Sequence, residues 1–230
     1  MSRNFSTTKS FLVLTLGAIA TSSFLNACTS AQNQTQAPTP TSTAEAQKPM
    51  DRGGMQHSGM NHSGMELGQA DAEFDLRFVD AMTPHHQGAI EMATAAQQKS
   101  KRPEIKKLAA DILKAQDKEI SQMKQWRQAW YPKASAPVAY SSKMGGSMPM
   151  SQDQRSGMMM NIDLGAADDQ FDLRFLNAMI PHHEGAVVMA QDALSKSKRP
   201  EIKKLAQEIV ASQKAEIEQM QQWKQAWYKQ

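Results

Sequence analysis

The chain has 230 residues, of which 40% are hydrophobic and 21% are charged, and its formal net charge is +3. This length suffices for one sizeable domain or two small ones, and so small a charge gives no reason to expect nucleic acid or an anionic membrane as a partner. The single cysteine, Cys28, excludes a disulfide framework and a thiolate metal cluster, so any soft metal has to be held by methionine or histidine.

The N-terminus has the pattern of an export signal. Two basic residues precede an apolar run at residues 11–20, which is too short to span a bilayer. We therefore expect residues 1–31 to be a signal peptide and the mature protein to be periplasmic or secreted. Residues 25–28, LNAC, resemble the lipoprotein cleavage box, whose cysteine is lipid-modified, and cleavage after Ala31 is the alternative. A lipid anchor at Cys28 is the only membrane attachment that the sequence suggests.

Residues 32–70 have the composition of a disordered segment, rich in Ser, Gly, Pro, Gln and Thr. Within it, GMQHSGMNHSGM at residues 54–65 places a methionine at every fifth position. A thioether suits Cu(I) and Ag(I), and imidazole also accepts Cu(II), while glycine and serine let the donors converge. An accidental low-complexity tail is the alternative. The candidate metal ligands here are Met55, His57, Met60, His62 and Met65.

The rest of the chain contains an internal duplication. FDLRFVDAMTPHHQGAIEMA, from Phe74, returns as FDLRFLNAMIPHHEGAVVMA, from Phe171, and about 39 of 61 positions recur from Asp71 onward without a gap. In each copy the apolar residues follow helical spacing, interrupted at KSKRPE, which we interpret as a solvated turn before a helix that starts with proline. The sequence predicts an all-α fold in which two helical hairpins close a four-helix bundle. The predicted hairpins are residues 71–131 and 168–230, with helices near 71–99, 103–130, 168–196 and 200–228.

The hairpins are joined by a methionine-rich linker, residues 132–167, which also has the composition of mobile chain. Methionines in such a segment have no core to fill, so we interpret their sulfur atoms as donors. The linker contains no histidine, which favours Cu(I) or Ag(I) over Cu(II). Its candidate ligands are Met148, Met150, Met158, Met159 and Met160.

Each hairpin carries two adjacent histidines on the helix face that turns toward the core. Met82 and His85 lie on the apolar stripe and His86 flanks it, while antiparallel folding sets Gln116 and Glu119 opposite Met82 and His85. Buried polar groups without partners cost about 1 to 3 kcal/mol each. The layer must therefore be satisfied by mutual hydrogen bonds, by water or by a metal, and the spacing leaves these three possibilities open.

The duplicated PHHxGA with its preceding methionine, the RPEIKKLA turn and the terminal QMxQW resemble a bacterial helical family known as domain of unknown function 305. The resemblance implies a ferritin-like bundle and copper ligation by methionine and histidine. The Glu-x-x-His signature of di-iron bundles is absent, which argues against ferroxidase activity. The implied ligands are Met82, His85, His86, Met92, Met179, His182, His183 and Met189, with Met123 and Met220 as further candidates. Gln116, Glu119, Gln213 and Glu216 would orient the imidazoles from behind.

These observations predict an exported, non-enzymatic protein that binds several Cu(I) ions, and also Ag(I), for copper sequestration, resistance or delivery. Cu(II) is expected only where histidine is available. The expected partners are metal ions and another periplasmic copper protein or exporter. Two alternatives stay open at this point. One is a His/Glu di-metal enzyme in the bundle core, and the other is a metal-free helical adaptor whose polar layer only sets the packing.

Overall fold

The computed structural model describes residues 65–230. The predicted signal peptide, Cys28 and the candidate ligands Met55, His57, Met60 and His62 lie outside the described residues. Within the described part, four long helices form the two predicted hairpins, and none of its helices is long and apolar enough to cross a membrane. The helices are α1 (Phe74–Lys99), α2 (Pro103–Trp130), α4 (Phe171–Lys196) and α5 (Pro200–Tyr228).

The two hairpins pack with α1 and α4 antiparallel, which divides the core into two clusters. One cluster joins the N-terminal half of α1, including Phe74 and Phe78, to the C-terminal half of α4, including Ala190. The second cluster joins the C-terminal half of α1, including Ala93, to the N-terminal half of α4, including Phe175. The all-α four-helix bundle predicted from the repeat is therefore confirmed, and its pseudo-twofold axis passes between the midpoints of α1 and α4.

The KSKR turns are not simply solvated, in contrast to the prediction. The turn of one hairpin contacts the other hairpin, since Arg199 lies over the indole of Trp130 at 4.1 Å and 3.6 Å from a carboxylate oxygen of Asp75. The second turn repeats this arrangement, with Arg102 over Trp227 at 4.1 Å and 3.5 Å from Asp172. The guanidinium groups thus hold the two hairpins together at both ends of the bundle, by cation–π contact and charge.

We expect Arg199→Ala to lower the free energy of unfolding by about 0.5 to 1 kcal/mol, because an exposed cation–π contact and a half-exposed ion pair are each worth little. Trp130 should become more exposed, so the tryptophan emission should shift to longer wavelength. Urea unfolding and fluorescence would measure both effects. Lys198→Ala, in the same turn and exposed, is the matched control, and an equal loss in the control would contradict the role given to Arg199.

The linker that we predicted to be mobile chain contains regular structure, which corrects that prediction. It forms an antiparallel hairpin of β1 (Val138–Ser141) and β2 (Gly146–Pro149), followed by a short helix, α3 (Gln152–Met159). Ser151 caps α3 through a capping box with Gln154. The sheet is small, so the fold class is unchanged, but composition alone misjudged this segment.

Polar contacts to the first hairpin explain why a linker with so few apolar residues is ordered. Asp80, 4% exposed, binds Arg127 and accepts a hydrogen bond from the backbone N–H of Val138 at 2.9 Å. Arg127 in turn donates to the carbonyl oxygens of Ala134 and Ala136. The linker is therefore attached through its backbone, which hydrophobic patterning cannot detect.

The repeats also begin earlier than predicted, at Leu67 and Leu164 rather than at residues 71 and 168. Arg77 donates from Nε to the carbonyl oxygen of Leu67 at 2.7 Å, and Arg174 makes the equivalent bond to Leu164 at the same distance. Leu67 and Leu164 are both buried. The last residues of each segment that we predicted to be mobile are thus part of the bundle.

Candidate metal centre

Four buried imidazoles form a continuous row where α1 crosses α4. His85 and His182 face each other across the pseudo-twofold axis, with ring centroids 3.9 Å apart. His86 lies 6.5 Å from His85, and His183 lies 6.3 Å from His182. All four residues are at most 1% exposed. The duplicated His-His motif therefore produces one polar layer that both repeats share.

A carboxylate from the second helix of each hairpin holds the outer imidazole of that row. Glu119 Oε2 lies 2.7 Å from His86 Nε2, and Glu216 Oε2 lies 2.6 Å from His183 Nε2. A carboxylate accepts the hydrogen bond, so Nε2 carries the proton and Nδ1 keeps its lone pair in the neutral ring. This is the pattern by which carboxylates orient histidines that ligate metals. The sequence had placed Glu119 in register with Met82 and had assigned it the role of orienting an imidazole, and the structure shows it bonded to His86.

Several polar atoms of this layer are buried with no hydrogen-bond partner among residues 65–230. They include the Nδ1 atoms of three imidazoles and the Oε1 atoms of two glutamines that the sequence had placed in the layer. An unpaired buried polar atom costs about 1 to 3 kcal/mol, so a native protein keeps such atoms for a reason. The atoms belong to His86, His182, His183, Gln116 and Gln213.

The six helical methionines form two groups, and each group contains methionines from both repeats. Met82 and Met123 of the first hairpin share a core cluster with Met189 of the second. Met179 and Met220 of the second hairpin share the other cluster with Met92 of the first. All six are at most 1% exposed. The sequence had associated Met92 with the histidines of its own repeat, and the structure places it in one core cluster with two methionines of the other repeat.

The linker methionines differ from one another in burial. We predicted that none of them has a core to fill, and for two of them this prediction is wrong. Met65 and Met158 are only 6% and 4% exposed and belong to the same core cluster as Met82. Met160 packs partly against that cluster, and Met159 and Met150 are half-buried. Met65, Met158 and Met160 therefore have apolar neighbours, so filling the core is part of their role.

Met148 lies on β2, where it pairs with Ala139 of β1. Met144, in the turn between the strands, is 70% exposed. The methionines of the second linker are thus spread over a turn, a strand and a helix. The mobile chain that we predicted for this linker does not describe these positions.

Two glycines allow the linkers to approach the histidine row. A Cβ built on Gly88 would collide with the backbone carbonyl of Met159, which receives a hydrogen bond from His182 Nε2 at 3.1 Å. A Cβ on Gly185 would lie 2.8 Å from the sulfur of Met65. The glycine of PHHxGA is therefore required for close approach, and the Pro-His-His-x-Gly spacing was the signal for it in the sequence.

Burial lowers the pKa of His182 from 6.5 to about 3, with the neighbouring His183 as a further cause. The ring therefore stays neutral in the folded protein under mildly acidic conditions, with a lone pair available for a metal. An imidazole that remains unprotonated does not have to lose a proton when it binds a metal ion.

The same pKa predicts acid sensitivity of the metal-free protein. Between pH 6.5 and about 3 the unfolded chain binds a proton at His182 that the folded chain does not bind, so stability falls as pH falls through this window. The loss approaches about 1.4 kcal/mol per pH unit. Urea unfolding from pH 7 to pH 4 would measure it, and His182→Gln should reduce the slope. Equal slopes for both proteins would contradict the prediction.

Among residues 65–230, no three His, Cys, Asp or Glu side chains are grouped so that they could hold a metal ion. The carboxylates of Glu119 and Glu216 instead each bind one histidine at the outer ends of the row. The polar layer of the described chain is thus built around imidazoles, with thioethers in the core clusters on both sides.

Residues 75–224 match the family model for the Domain of unknown function (DUF305), and a second match covers residues 22–127. This chain belongs to the DUF305 family. It is similar to CopM in its Cu(I)-bound form, at 42% identity and a TM-score of 0.53, over 67% of this chain and 97% of CopM. The match to CopM in its Cu(II)-bound form has 44% identity and a TM-score of 0.54 over the same shares.

Two further matches are weaker, one in sequence identity and the other in coverage. A candidate secreted DUF305 protein from Streptomyces coelicolor has 29% identity and a TM-score of 0.51, over 66% of this chain and 90% of that protein. Uncharacterized protein L153 of Acanthamoeba polyphaga mimivirus is 45% identical over 49 residues, 21% of this chain. The matched part is 32% of the mimivirus protein, so that relative says nothing about the function of the whole DUF305 chain.

Proposed function

We propose that this protein is an exported, non-enzymatic copper-binding protein that takes up Cu(I), and also Ag(I), through its buried histidine pairs and core methionines. The observation that carries this proposal is the set of buried Nδ1 atoms of His86, His182 and His183 that have no hydrogen-bond partner among the described residues. Each is a buried ring nitrogen, and two of the three rings are oriented by a carboxylate that binds their Nε2 atom.

The donor set favours monovalent soft ions. Imidazole nitrogen and thioether sulfur together suit Cu(I), whereas both carboxylates of this layer, the charged oxygen ligands that Mg²⁺ or Ca²⁺ would need, are bonded to histidine. CopM, to which the chain is similar over nearly the whole of CopM, has been crystallised in Cu(I)-bound, Cu(II)-bound and silver-bound forms. That similarity supports the same choice of ions for this protein.

The methionines and histidines of residues 50–64 form a second set of donors in this proposal, and this set captures ions that the bundle then holds. The physiological role would be copper tolerance, by sequestration or by delivery to another periplasmic copper protein or exporter. This two-level scheme requires more than one Cu(I) equivalent per chain. It also requires that the two sets of sites can be removed separately.

The test is the Cu(I) stoichiometry of the full-length mature protein, measured by competition with a chromophoric Cu(I) chelator. We expect several equivalents, of which the tightest survive deletion of residues 50–64. The deletion should end before Met65, because this residue packs in the bundle core. A single equivalent that is unaffected by the deletion would contradict the two-level scheme, and no binding at all would contradict the proposed function.

A further inference from the structure

The two inner imidazoles of the histidine row, His85 and His182, have different chemical groups beside them. On the α4 side, a Cβ at Gly185 would lie 2.8 Å from Met65 Sδ and 3.2 Å from His85 Nε2. The thioether sulfur and this imidazole nitrogen therefore both lie close to the backbone of Gly185, which has no side chain. Met65 is 6% exposed, so its sulfur is fixed inside the bundle rather than free in solvent.

On the α1 side, the space beside Gly88 is filled by the backbone carbonyl of Met159. His182 Nε2 donates a hydrogen bond to this oxygen at 3.1 Å. The second repeat thus presents a hard carbonyl oxygen where the first presents a soft sulfur. The pseudo-twofold symmetry of the helices is broken at this point by the two segments that precede them.

The second repeat has no methionine at the position equivalent to Met65. The two segments align from Leu67 and Leu164, which accept the equivalent hydrogen bonds from Arg77 and Arg174. At the same offset, the counterpart of Met65 is Ile162, which has no donor atom and is 44% exposed. The extra sulfur is therefore a property of the first repeat alone.

We propose that Met65 is a metal ligand of the first histidine pair only, so that the two pairs bind Cu(I) with unequal affinity and the first ion enters beside His85. This inference rests on the proposed function. Thioether sulfur prefers Cu(I), while a backbone carbonyl is a poor ligand for it.

The test uses two full-length variants that each keep one histidine pair, in a background where the four donors at positions 55, 57, 60 and 62 are replaced by serine. The His182→Ala/His183→Ala protein keeps the first pair, and the His85→Ala/His86→Ala protein keeps the second. Cu(I) affinity is measured by chelator competition. We expect the first pair to bind about tenfold or more tightly than the second.

Met65→Leu keeps the volume and removes the sulfur. We expect it to weaken Cu(I) binding to the level of the second pair in the protein that keeps the first pair, and to have no effect in the other protein. Leu67→Val is the matched control, since Leu67 is 2% exposed in the same core cluster and has no donor atom. Circular dichroism confirms that each variant is folded.

The outcomes separate the two proposals. Equal affinities of the two pairs, or an equal effect of Met65→Leu on both, would overturn the role of Met65 while leaving the copper-binding function intact. No Cu(I) binding by either pair would overturn the proposed function itself.

A direct measurement uses the folded wild-type chain and Ag(I), which is diamagnetic. With ¹³C-labelled methionine methyl groups, the Met65 signal should move with the first equivalent of Ag(I) bound by the bundle. The signal of Met158, which lies in the same core cluster, serves as the internal comparison. A Met65 signal that stays in place while the bundle fills would overturn the inference.

Discussion

Replacing both histidine pairs by alanine should abolish tight Cu(I) binding by the bundle, with the dissociation constant rising at least about 100-fold, or about 2.7 kcal/mol. The expectation follows from the position of the four rings. They lie side by side, are at most 1% exposed, and provide the nitrogen donors of the described layer. Weaker binding by residues 50–64 should remain. Chelator competition on the full-length protein would separate the tight from the weak equivalents.

Removing four buried side chains also leaves cavities, so a control for packing is needed. Ile112→Ala and Ile209→Ala are matched changes, one in each hairpin, at positions that are at most 1% exposed and carry no donor atom. Each should lower stability by about 2 to 5 kcal/mol without changing the number of tight Cu(I) equivalents. Tight binding that persists in the folded quadruple histidine variant would place the copper site elsewhere. Loss of tight binding in the isoleucine variants would mean that packing, rather than ligation, explains the effect.

We expect Asp80→Ala to lower the free energy of unfolding by about 2 to 3 kcal/mol and to detach the linker from the bundle. Burial raises the pKa of Asp80, even though Arg127 and the N–H of Val138 lower it. The ionised pair is therefore expensive to bury. Removing only the carboxylate destabilises the fold further, because it leaves Arg127 without its charge partner. Arg127 is 22% exposed in its side chain, so water reduces the loss below that of a fully buried pair.

Urea unfolding would give the loss of stability, and hydrogen exchange at the amide of Val138 would report the detachment. The second repeat provides the control, since Asn177 and Lys224 occupy the positions equivalent to Asp80 and Arg127. Asn177→Ala, at an exposed position, should change stability by less than about 0.5 kcal/mol. An unchanged exchange rate at Val138 would contradict the anchoring role.

Most of the fold prediction came from the internal repeat. About 39 of 61 identical positions, helical spacing and a proline at the first position of each second helix predicted helices whose ends agree with the structure to within about three residues. The shared histidine layer also followed from spacing, because a helical period places His85 and His182 on the core face. What spacing could not give was the partner of each side chain across the bundle. Glu119 meets His86 rather than Met82, since the depth of packing between two helices decides which residues come opposite.

For the linker, by contrast, the prediction from the sequence was wrong. Its composition predicted mobile chain, and the structure forms β1, β2 and α3 there. Composition counts apolar side chains, whereas this segment is held by bonds from Asp80 and Arg127 to its backbone. The signal that was available was Asn177, which stands in the second copy where the first copy has Asp80.

By itself the sequence determined the fold class, the duplication and the kinds of donor atoms, because periodicity and residue chemistry are local properties of a chain. Only the tertiary structure decided which donors meet. It placed His85 against His182, grouped Met92 with the methionines of the other repeat, and set Met65 beside Gly185. Those contacts depend on the antiparallel crossing of α1 and α4 and on two glycines that admit a sulfur on one side and a carbonyl on the other. Metal chemistry requires donors that converge in space, and convergence is fixed by packing between segments far apart in the chain.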